Sequence, residues 1–319
     1  MVHPPRVGVI FPGQGSQSVG MGGSVARAFS ASRDLFDRAS AVVGYDIFAL
    51  TQNGPEERLR ETLFSQPAIF VTNCALRAAI GDALEPIVSC GHSFGEYCSL
   101  TIAGALTFEE GIRLVNERAK AMQRAAELAP GGMSAILGLT DERIREAAER
   151  AQKEAGSAVQ LANWNAPGQI VISGHIDAVR LAGEYAMELG AKRVVQLNVS
   201  GAWHSRLMEP AVQPFAEVIR GATVSMPRFM VISNVDAKPY TSVESIKEHL
   251  IRSLTDEVRW HATSLRMIDE KPDLVLEFGA NPVLTPMLKR VGGIERVMHV
   301  GDAEGIEKLR GMLAEVSRT

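Results

Sequence analysis

A serine stands between two glycines in residues 91–95, which read GHSFG. The apolar residues before this segment predict a short strand, and the residues after it predict a helix. A G-x-S-x-G sequence between a strand and a helix is typical of a sharp turn that presents a serine hydroxyl as a nucleophile. Side chains at positions 91 and 95 would collide where the strand and the helix approach each other, which explains the two glycines. We therefore predict that Ser93 is a nucleophile, with the backbone N–H of Phe94 facing the oxyanion of an attacked carbonyl.

A serine hydroxyl is a weak nucleophile and needs a base. His204 is the best candidate because it lies in a loop of small residues just after a predicted strand. A buried structural histidine is the alternative reading of that position, and spacing alone does not separate the two. His92 adjoins the serine, but its side chain is expected to point away from that of Ser93 and to support the turn.

A charged residue with apolar neighbours lies on a predicted helix further along the chain. Thr107 and Glu110 match the T-x-x-E pattern of a capping box, and the helix that they open carries Arg118 close to Met122. Such an arginine either extends its head group to solvent or pairs with a carboxylate in a pocket, where its planar fork forms two parallel hydrogen bonds. The pattern leaves both interpretations open.

Composition argues against several classes of function. The chain has 319 residues and a net charge of -4, with no basic block and no apolar run long enough for a membrane span. Nucleic acid and membranes are therefore not expected as partners. Three cysteines and seven scattered histidines fit neither a disulfide framework nor a metal site. The N-terminal residues lack a signal-peptide pattern, and we expect a cytoplasmic monomer.

The glycine-rich turn that follows the first predicted strand has two possible uses. Gly13 and Gly15 are spaced like the start of a dinucleotide-binding loop, but position 18 is Ser18 rather than the third glycine. No Gly-Lys-Ser/Thr sequence follows, so a P-loop is excluded as well. The spacing therefore argues against a nucleotide site, and by itself it gives the turn no other role.

The order of predicted elements places these residues in two structural units. Strands over residues 6–11 and 86–90 alternate with helices over residues 24–41 and 68–79, which favours a mostly parallel sheet covered on both faces. Residues 131–200 instead show the order β-α-β-β-α-β of a ferredoxin-like unit. Strands are expected again over residues 229–235 and 274–279.

We therefore predict an α/β fold. A large α/β-hydrolase-like domain with a mostly parallel sheet would comprise residues 1–130 and 201–319. A small ferredoxin-like subdomain of residues 131–200 would be inserted into it.

Six stretches of the chain resemble one family, the malonyl-CoA:acyl-carrier-protein transacylases of fatty-acid and polyketide synthesis. They occur in the order found in that family and span nearly the whole chain, so together they are far more specific than G-x-S-x-G alone. The stretches are FPGQGSQ at 11–17, GHSFGEY at 91–97, ERAKAMQ at 117–123, NWNAPGQIVISG at 163–174, VSGAWHS at 199–205 and GANPVL at 279–284.

The resemblance implies a role for each candidate residue. Ser93 would carry the acyl group, and His204 would act as general base and then as general acid. Gln14 would provide a second backbone N–H for the oxyanion, beside that of Phe94. Arg118 would bind the malonyl carboxylate.

Further roles follow from the same resemblance. A backbone carbonyl at Ser253 would orient the catalytic histidine, although the family usually has glutamine there and a Ser-Pro pair at the positions of Asp256 and Glu257. Trp203 would crowd an α-methyl branch on the acyl group, and core packing is the alternative explanation for this residue. Asn163 would line the cleft between the two domains. The expected substrate-binding residues are Arg118, His92, Asn163, Trp203 and Met122.

The implied activity is a ping-pong transfer of malonyl from malonyl-CoA to the phosphopantetheine thiol of an acyl carrier protein. No metal or redox cofactor is expected, because CoA and phosphopantetheine belong to the substrates. Two alternatives stay open: a serine hydrolase of acyl thioesters with the same fold, and a catalytically silent module that binds carrier proteins. The presence of Arg118 argues against the first, and the presence of both Ser93 and His204 argues against the second.

Overall fold

A computed structural model describes residues 5–316 of the chain. Residues 1–4 and 317–319 lie outside this range. The two ends of the predicted large domain, at residues 1 and 319, therefore fall outside the described residues. The first residues of the N-terminal segment, which lacks a signal-peptide pattern, fall outside them as well.

Within the described range, strands and helices alternate along the chain. The strands are β1 (Val7–Phe11), β2 (Val88–Gly91), β3 (Gly132–Leu137), β4 (Val159–Ala166), β5 (Gln169–Gly174), β6 (Arg193–Gln196), β7 (Met230–Val231), β8 (Leu274–Phe278) and β9 (Val297–Val300). The helices are α1 (Gly23–Ala28), α2 (Ser30–Val43), α3 (Ile47–Asn53), α4 (Glu56–Arg60), α5 (Thr62–Ala78), α6 (Gly95–Ile102), α7 (Phe108–Leu128), α8 (Asp141–Ala155), α9 (Ile176–Glu188), α10 (Glu209–Arg220), α11 (Val243–Arg252), α12 (Trp260–Asp269), α13 (Leu284–Val291) and α14 (Ala303–Val316).

One sheet is parallel and has the strand order β7-β2-β1-β8-β9. Its central strand β1 reads VGVIF and is buried along its whole length, as expected for a parallel strand covered on both faces. The register pairs Phe11 with Gly91. The carboxyl ends of β1 and β2 therefore lie side by side, and the turn after each strand starts at the same edge of the sheet.

The second sheet is antiparallel and has the order β4-β5-β3-β6. Its helices α8 and α9 enclose a hydrophobic core of their own, with Ile136, Ile144, Ile172 and Ala182 at its centre. This element order and strand order are those of a ferredoxin-like unit, and the prediction of the fold class is confirmed.

The antiparallel sheet is attached to the segment between α11 and α12. The backbone N–H of Trp164 on β4 donates to Val258 O at 2.9 Å, and Val258 N–H donates to Ala162 O at 2.8 Å. The antiparallel sheet falls within the predicted range 131–200, and the strands of the parallel sheet fall outside it. The division into two domains stays a prediction.

Several element boundaries differ from those predicted. The helix expected over residues 24–41 is two helices, because Phe29 has an extended backbone with φ of -130°. The helix expected from residue 68 starts at Thr62 and contains Pro67 as its sixth residue, where the missing N–H removes one i→i−4 hydrogen bond of the helix. The Thr107 side chain caps α7 as predicted. Glu110, however, pairs with Arg113 rather than completing the capping box.

Two strands were also predicted inaccurately. The strand expected over residues 229–235 has only two residues in the sheet, Met230 and Val231, since the chain then turns into a hydrogen-bonded loop. Strand β9 was not predicted, and its sequence VMHV is short and interrupted by His299. Among residues 5–316, no helix combines the length and the apolar character needed to cross a membrane.

Candidate active site

Ser93 lies at the sharp turn between β2 and α6. Its φ is +55°, in the left-handed region that residues other than glycine seldom adopt. A Cβ on Gly91 would lie 1.9 Å from the carbonyl carbon of Gly95, and a Cβ on Gly95 would lie 2.4 Å from Phe11 O. The close approach of strand, helix and first turn therefore requires glycine at both positions.

The Ser93 hydroxyl is in contact with the ring of His204. The distance from Ser93 Oγ to His204 Nε2 is 2.8 Å, although 111 positions separate the two residues. His204 itself has a φ of +57° and is only 3% exposed. The pair has the hydrogen bond that proton transfer from a serine to a base requires.

Arg118 points into the same site from the middle of α7. The residue is 1% exposed, so its head group does not extend to solvent. Its Nη2 donates to Ser93 Oγ at 3.1 Å and its Nη1 donates to Gln66 Oε1 at 2.7 Å. Its Nε has no hydrogen-bond partner, and among residues 5–316 no carboxylate lies within ion-pair distance of it. The charge of Glu96 acts on Arg118 only from beyond that distance. A buried cation without a directly paired counter-ion is costly, so this site favours an anionic ligand.

A cavity of about 420 Å³ opens beside these groups. It runs between the edge of the parallel sheet and the antiparallel sheet, since residues from both line its wall. The predicted site residues that line it are Gln14, His92, Ser93, Arg118, Met122, Asn163, Trp203 and His204. Phe94 is buried at the start of α6 and does not line the cavity, and Ser253 lies at the end of α11.

Comparison with known proteins agrees with this arrangement. The model of the acyl transferase domain family matches residues 9–309. A malonyl CoA-acyl carrier protein transacylase of Salmonella typhimurium is 40% identical over 284 residues, which cover 88% of this chain and 91% of the relative. The chain belongs to the acyl transferase family, among the malonyl CoA-acyl carrier protein transacylases.

Solved structures of transacylases have the same fold. The malonyl CoA-acyl carrier protein transacylase of Coxiella burnetii superposes with a TM-score of 0.94 at 35% identity, over 98% of this chain and 99% of that one. A malonyl-transacylase solved in complex with a type II polyketide acyl-carrier protein gives a TM-score of 0.91 at 38% identity, over 95% of this chain and 98% of that one.

The electrostatics of the transacylase site keep its histidine neutral. Burial, the charge of Arg118 and the neighbouring His92 lower the pKa of His204 to about 3, from an ordinary 6.5. Burial also lowers the pKa of Arg118. A neutral imidazole at Nε2 is able to accept the proton of Ser93 over the whole physiological pH range.

The other ring nitrogen of His204 is less well defined. The main chain at Ser253 and Asp256 raises the pKa of His204, yet no group among residues 5–316 has the geometry of a hydrogen bond to Nδ1. Ser253 Oγ donates to Leu250 O at 2.8 Å, which directs the side chain back to its own helix. The orienting carbonyl of Ser253 stays a prediction.

Within residues 5–316, the two backbone N–H groups that are predicted to bind the oxyanion are free to donate a hydrogen bond to a ligand. Neither Gln14 N–H nor Phe94 N–H donates a hydrogen bond to another group in the described part of the chain. The side chain of Gln14 is held by Thr62, with 3.0 Å between Nε2 and Oγ1. Gly13 packs its Cα against the backbone of His92, which brings the first turn next to that of Ser93. Their role at the oxyanion stays a prediction.

His92 supports the Ser93 turn and also lines the cavity. Its Nε2 lies 2.8 Å from Asn165 Oδ1 on β4, and its ring centroid is 5.7 Å from that of Trp260. Burial lowers the pKa of His92, and the bond to Asn165 acts in the opposite direction.

Trp203 is buried in the core and also forms part of the cavity wall, so packing and substrate contact are compatible for this residue.

Four residues near the site were not predicted from the sequence. Glu96 is buried on α6, where burial raises the pKa of its carboxyl group to about 7 and the Tyr240 hydroxyl donates to it. Asn234 is hydrogen-bonded to the Ser93 turn. A polar asparagine inside the apolar stretch 229–235, which was predicted as a strand, was the one signal that could have indicated Asn234. The other two are Gln66 and Asn165, whose partners are distant in sequence.

Proposed function

We propose that this chain transfers a malonyl group from malonyl-CoA to the phosphopantetheine thiol of an acyl carrier protein, by a ping-pong mechanism through malonyl-Ser93. The observation that supports it most strongly is the buried, unpaired guanidinium of Arg118, 3.1 Å from Ser93 Oγ. A malonyl thioester carries a free carboxylate two carbons from its reactive carbonyl. That carboxylate supplies the missing counter-ion and places the carbonyl next to the nucleophile.

The first half-reaction loads the enzyme. His204 Nε2 accepts the proton of Ser93 Oγ as the oxygen attacks the thioester carbonyl. The negative charge that develops on the carbonyl oxygen faces the N–H groups of Phe94 and Gln14. The carbon–sulfur bond then breaks, and CoA leaves as a thiol with the proton from His204.

The second half-reaction transfers the malonyl group from the enzyme to the carrier protein. The phosphopantetheine thiol of the carrier protein gives its proton to His204 and attacks the ester carbonyl of malonyl-Ser93. The ester bond breaks and Ser93 Oγ takes the proton back. All the reacting groups come from the chain, from malonyl-CoA and from the thiol of the carrier protein. The proposed cycle therefore uses neither a metal nor a redox cofactor.

Discrimination between acyl groups follows from Arg118. An acetyl group has no carboxylate and leaves the guanidinium buried and unpaired, which costs binding free energy. A methylmalonyl group keeps the carboxylate but adds a branch near Trp203, whose indole reduces the available space.

Intact-mass spectrometry in two stages tests the proposal. The chain is first mixed with malonyl-CoA, and carrier protein with a free phosphopantetheine thiol is then added. We expect a malonyl adduct that maps to Ser93 and moves to the carrier, and no adduct on Ser93→Ala. Release of free malonate without transfer would indicate a hydrolase, and no adduct at all would indicate a silent binding module.

A further inference from the structure

The Ser93 turn exposes main-chain groups for which the parallel sheet has no partner. The neighbouring strand β7 ends at Val231, and its last contact with β2 is the bond from Ile232 N–H to Ser89 O at 3.1 Å. The chain then leaves the sheet two residues before it would reach Gly91 O. Ser93 has a left-handed backbone conformation and lies between the end of β2 and the start of α6. Its N–H therefore takes no part in the hydrogen bonds of either element.

A single side chain pairs with both of these groups. Asn234 Nδ2 donates to Gly91 O at 2.6 Å, and Asn234 Oδ1 accepts the Ser93 N–H at 2.9 Å. Asn234 is 1% exposed, so water does not compete for either bond. One neutral amide provides a donor and an acceptor at the required spacing, whereas a carboxylate has only acceptors.

The backbone that carries Asn234 is itself fixed. Residues 232–239 form a loop closed by a β-bridge between Ile232 and Pro239. Ser233 N–H donates to Lys238 O at 2.9 Å, and Arg259 N–H donates to Asn234 O at 3.0 Å. The side-chain amide therefore has little freedom to follow a movement of the serine.

We propose that Asn234 is a positioning residue, which holds Ser93 in the left-handed conformation that places its hydroxyl against His204. An uncommon backbone conformation persists only where the surrounding contacts enforce it. The two bonds of Asn234 enforce it from the side opposite the β1 strand. The inference rests on Ser93 being the nucleophile of the proposed function.

The test uses a fluorophosphonate, which reacts with activated serines without needing the acyl pocket. Ser93 Oγ displaces fluoride from phosphorus, and His204 receives the hydroxyl proton. We expect Asn234→Ala and Asn234→Asp to be labelled at least about 10-fold more slowly than the wild type, since a barrier higher by about 1.4 kcal/mol slows a reaction tenfold. The Asp variant keeps the shape of the side chain and serves if the Ala variant does not fold.

Tyr240→Phe is the matched control. Tyr240 lies directly after the same loop and donates to the buried Glu96, so this variant loses one buried hydrogen bond but keeps both bonds of Asn234. Its labelling rate is expected within about twofold of the wild type, with a comparable fall in Tm. A purely structural role for Asn234 would give all three variants the same labelling rate once they are folded.

The pH dependence of Asn234→Asp provides a second readout. As the pH falls from about 8 to about 5, the introduced carboxyl group takes up a proton and regains a donor for Gly91 O. The ratio of its labelling rate to that of the wild type should therefore rise. Neighbouring groups that titrate in both proteins change both labelling rates, and their effect cancels in this ratio. The titratable and charged groups around the position are Glu96, Tyr240, Asp236, His249, Arg118, His204, His92 and Arg259.

The outcomes separate this inference from the proposed function. If the wild type is not labelled at Ser93, the proposed nucleophile is wrong and the role of Asn234 falls with it. If the wild type is labelled but the Asn234 variants react as fast as Tyr240→Phe, or the rate ratio does not change with pH, the positioning role alone is overturned.

Discussion

A single buried charge has two effects at the scale of residues. The guanidinium of Arg118 is proposed to bind an anionic acyl group, and it also disfavours a second positive charge on His204. Together with burial, it lowers the pKa of His204 to about 3. The free enzyme therefore holds its base in the reactive neutral form well into the acid range.

This predicts an unusual pH profile for loading. An ordinary histidine base loses half of its neutral form near pH 6.5. Because the folded-state pKa of His204 is depressed, kcat/KM for malonyl-CoA should stay level from about pH 8 to about pH 5 and fall only nearer pH 3. Stopped-flow or quenched loading assays over this range measure it.

Glu96→Gln provides the control for that profile. Glu96 is a second buried group near Arg118 that titrates in this range, with a pKa raised by burial to about 7. Its amide variant cannot titrate and should show the same level profile. A half-loss of kcat/KM near pH 6.5 in both proteins would contradict the electrostatic account of His204.

Residues that are proposed to contact the substrate were easier to predict than the residues that hold them in place. The types of Ser93, His204 and Arg118, together with their motifs, were enough to nominate them. Asn234 and Gln66 act through partners 141 and 52 positions away, and an asparagine or glutamine has many structural uses. Only the folded chain shows which backbone groups lack a partner.

At the scale of elements, the strand-turn-helix around Ser93 depends on close packing of backbone. The prediction that glycine is needed on both sides was correct in its physical reason, as the 1.9 Å approach at Gly91 shows. Element boundaries were harder to predict. The apolar pattern of residues 24–41 continues through Phe29, and nothing local marks the extended backbone that separates α1 from α2.

A pair of glycine substitutions tests this packing. Gly91→Ala should lower the free energy of unfolding by at least about 3 kcal/mol, because its Cβ would overlap the backbone of Gly95. Gly311→Ala is the control, since Gly311 lies in α14 with no atom within 4 Å of an added Cβ. It should raise the free energy of unfolding by about 0.5–1 kcal/mol. Denaturant unfolding of both variants measures the difference, and equal stability of the two would show that the close approach is not limiting.

At the scale of the whole molecule, two sheets of different type frame one cavity. The parallel sheet presents the turns that carry Gln14 and Ser93, and the antiparallel sheet contributes Asn163 from β4. The order of strands and helices along the chain was sufficient to predict both sheets. The β-bridge from Asn163 to Val258, which attaches the antiparallel sheet to the segment between α11 and α12, depends on a contact between distant segments and has no local sequence signal.

The central claim is that a guanidinium in this cavity recognises a carboxylate on the acyl group beside Ser93. The most direct measurement compares initial loading rates from malonyl-CoA and acetyl-CoA in the wild type, Arg118→Ala and Arg118→Lys. We expect Arg118→Ala to lower the malonyl-to-acetyl rate ratio by about 100-fold or more, given the strength of a bidentate charged pair. Arg118→Lys should recover only part of the ratio, because an ammonium lacks the planar fork. Equal losses for the two thioesters in Arg118→Ala would contradict the account.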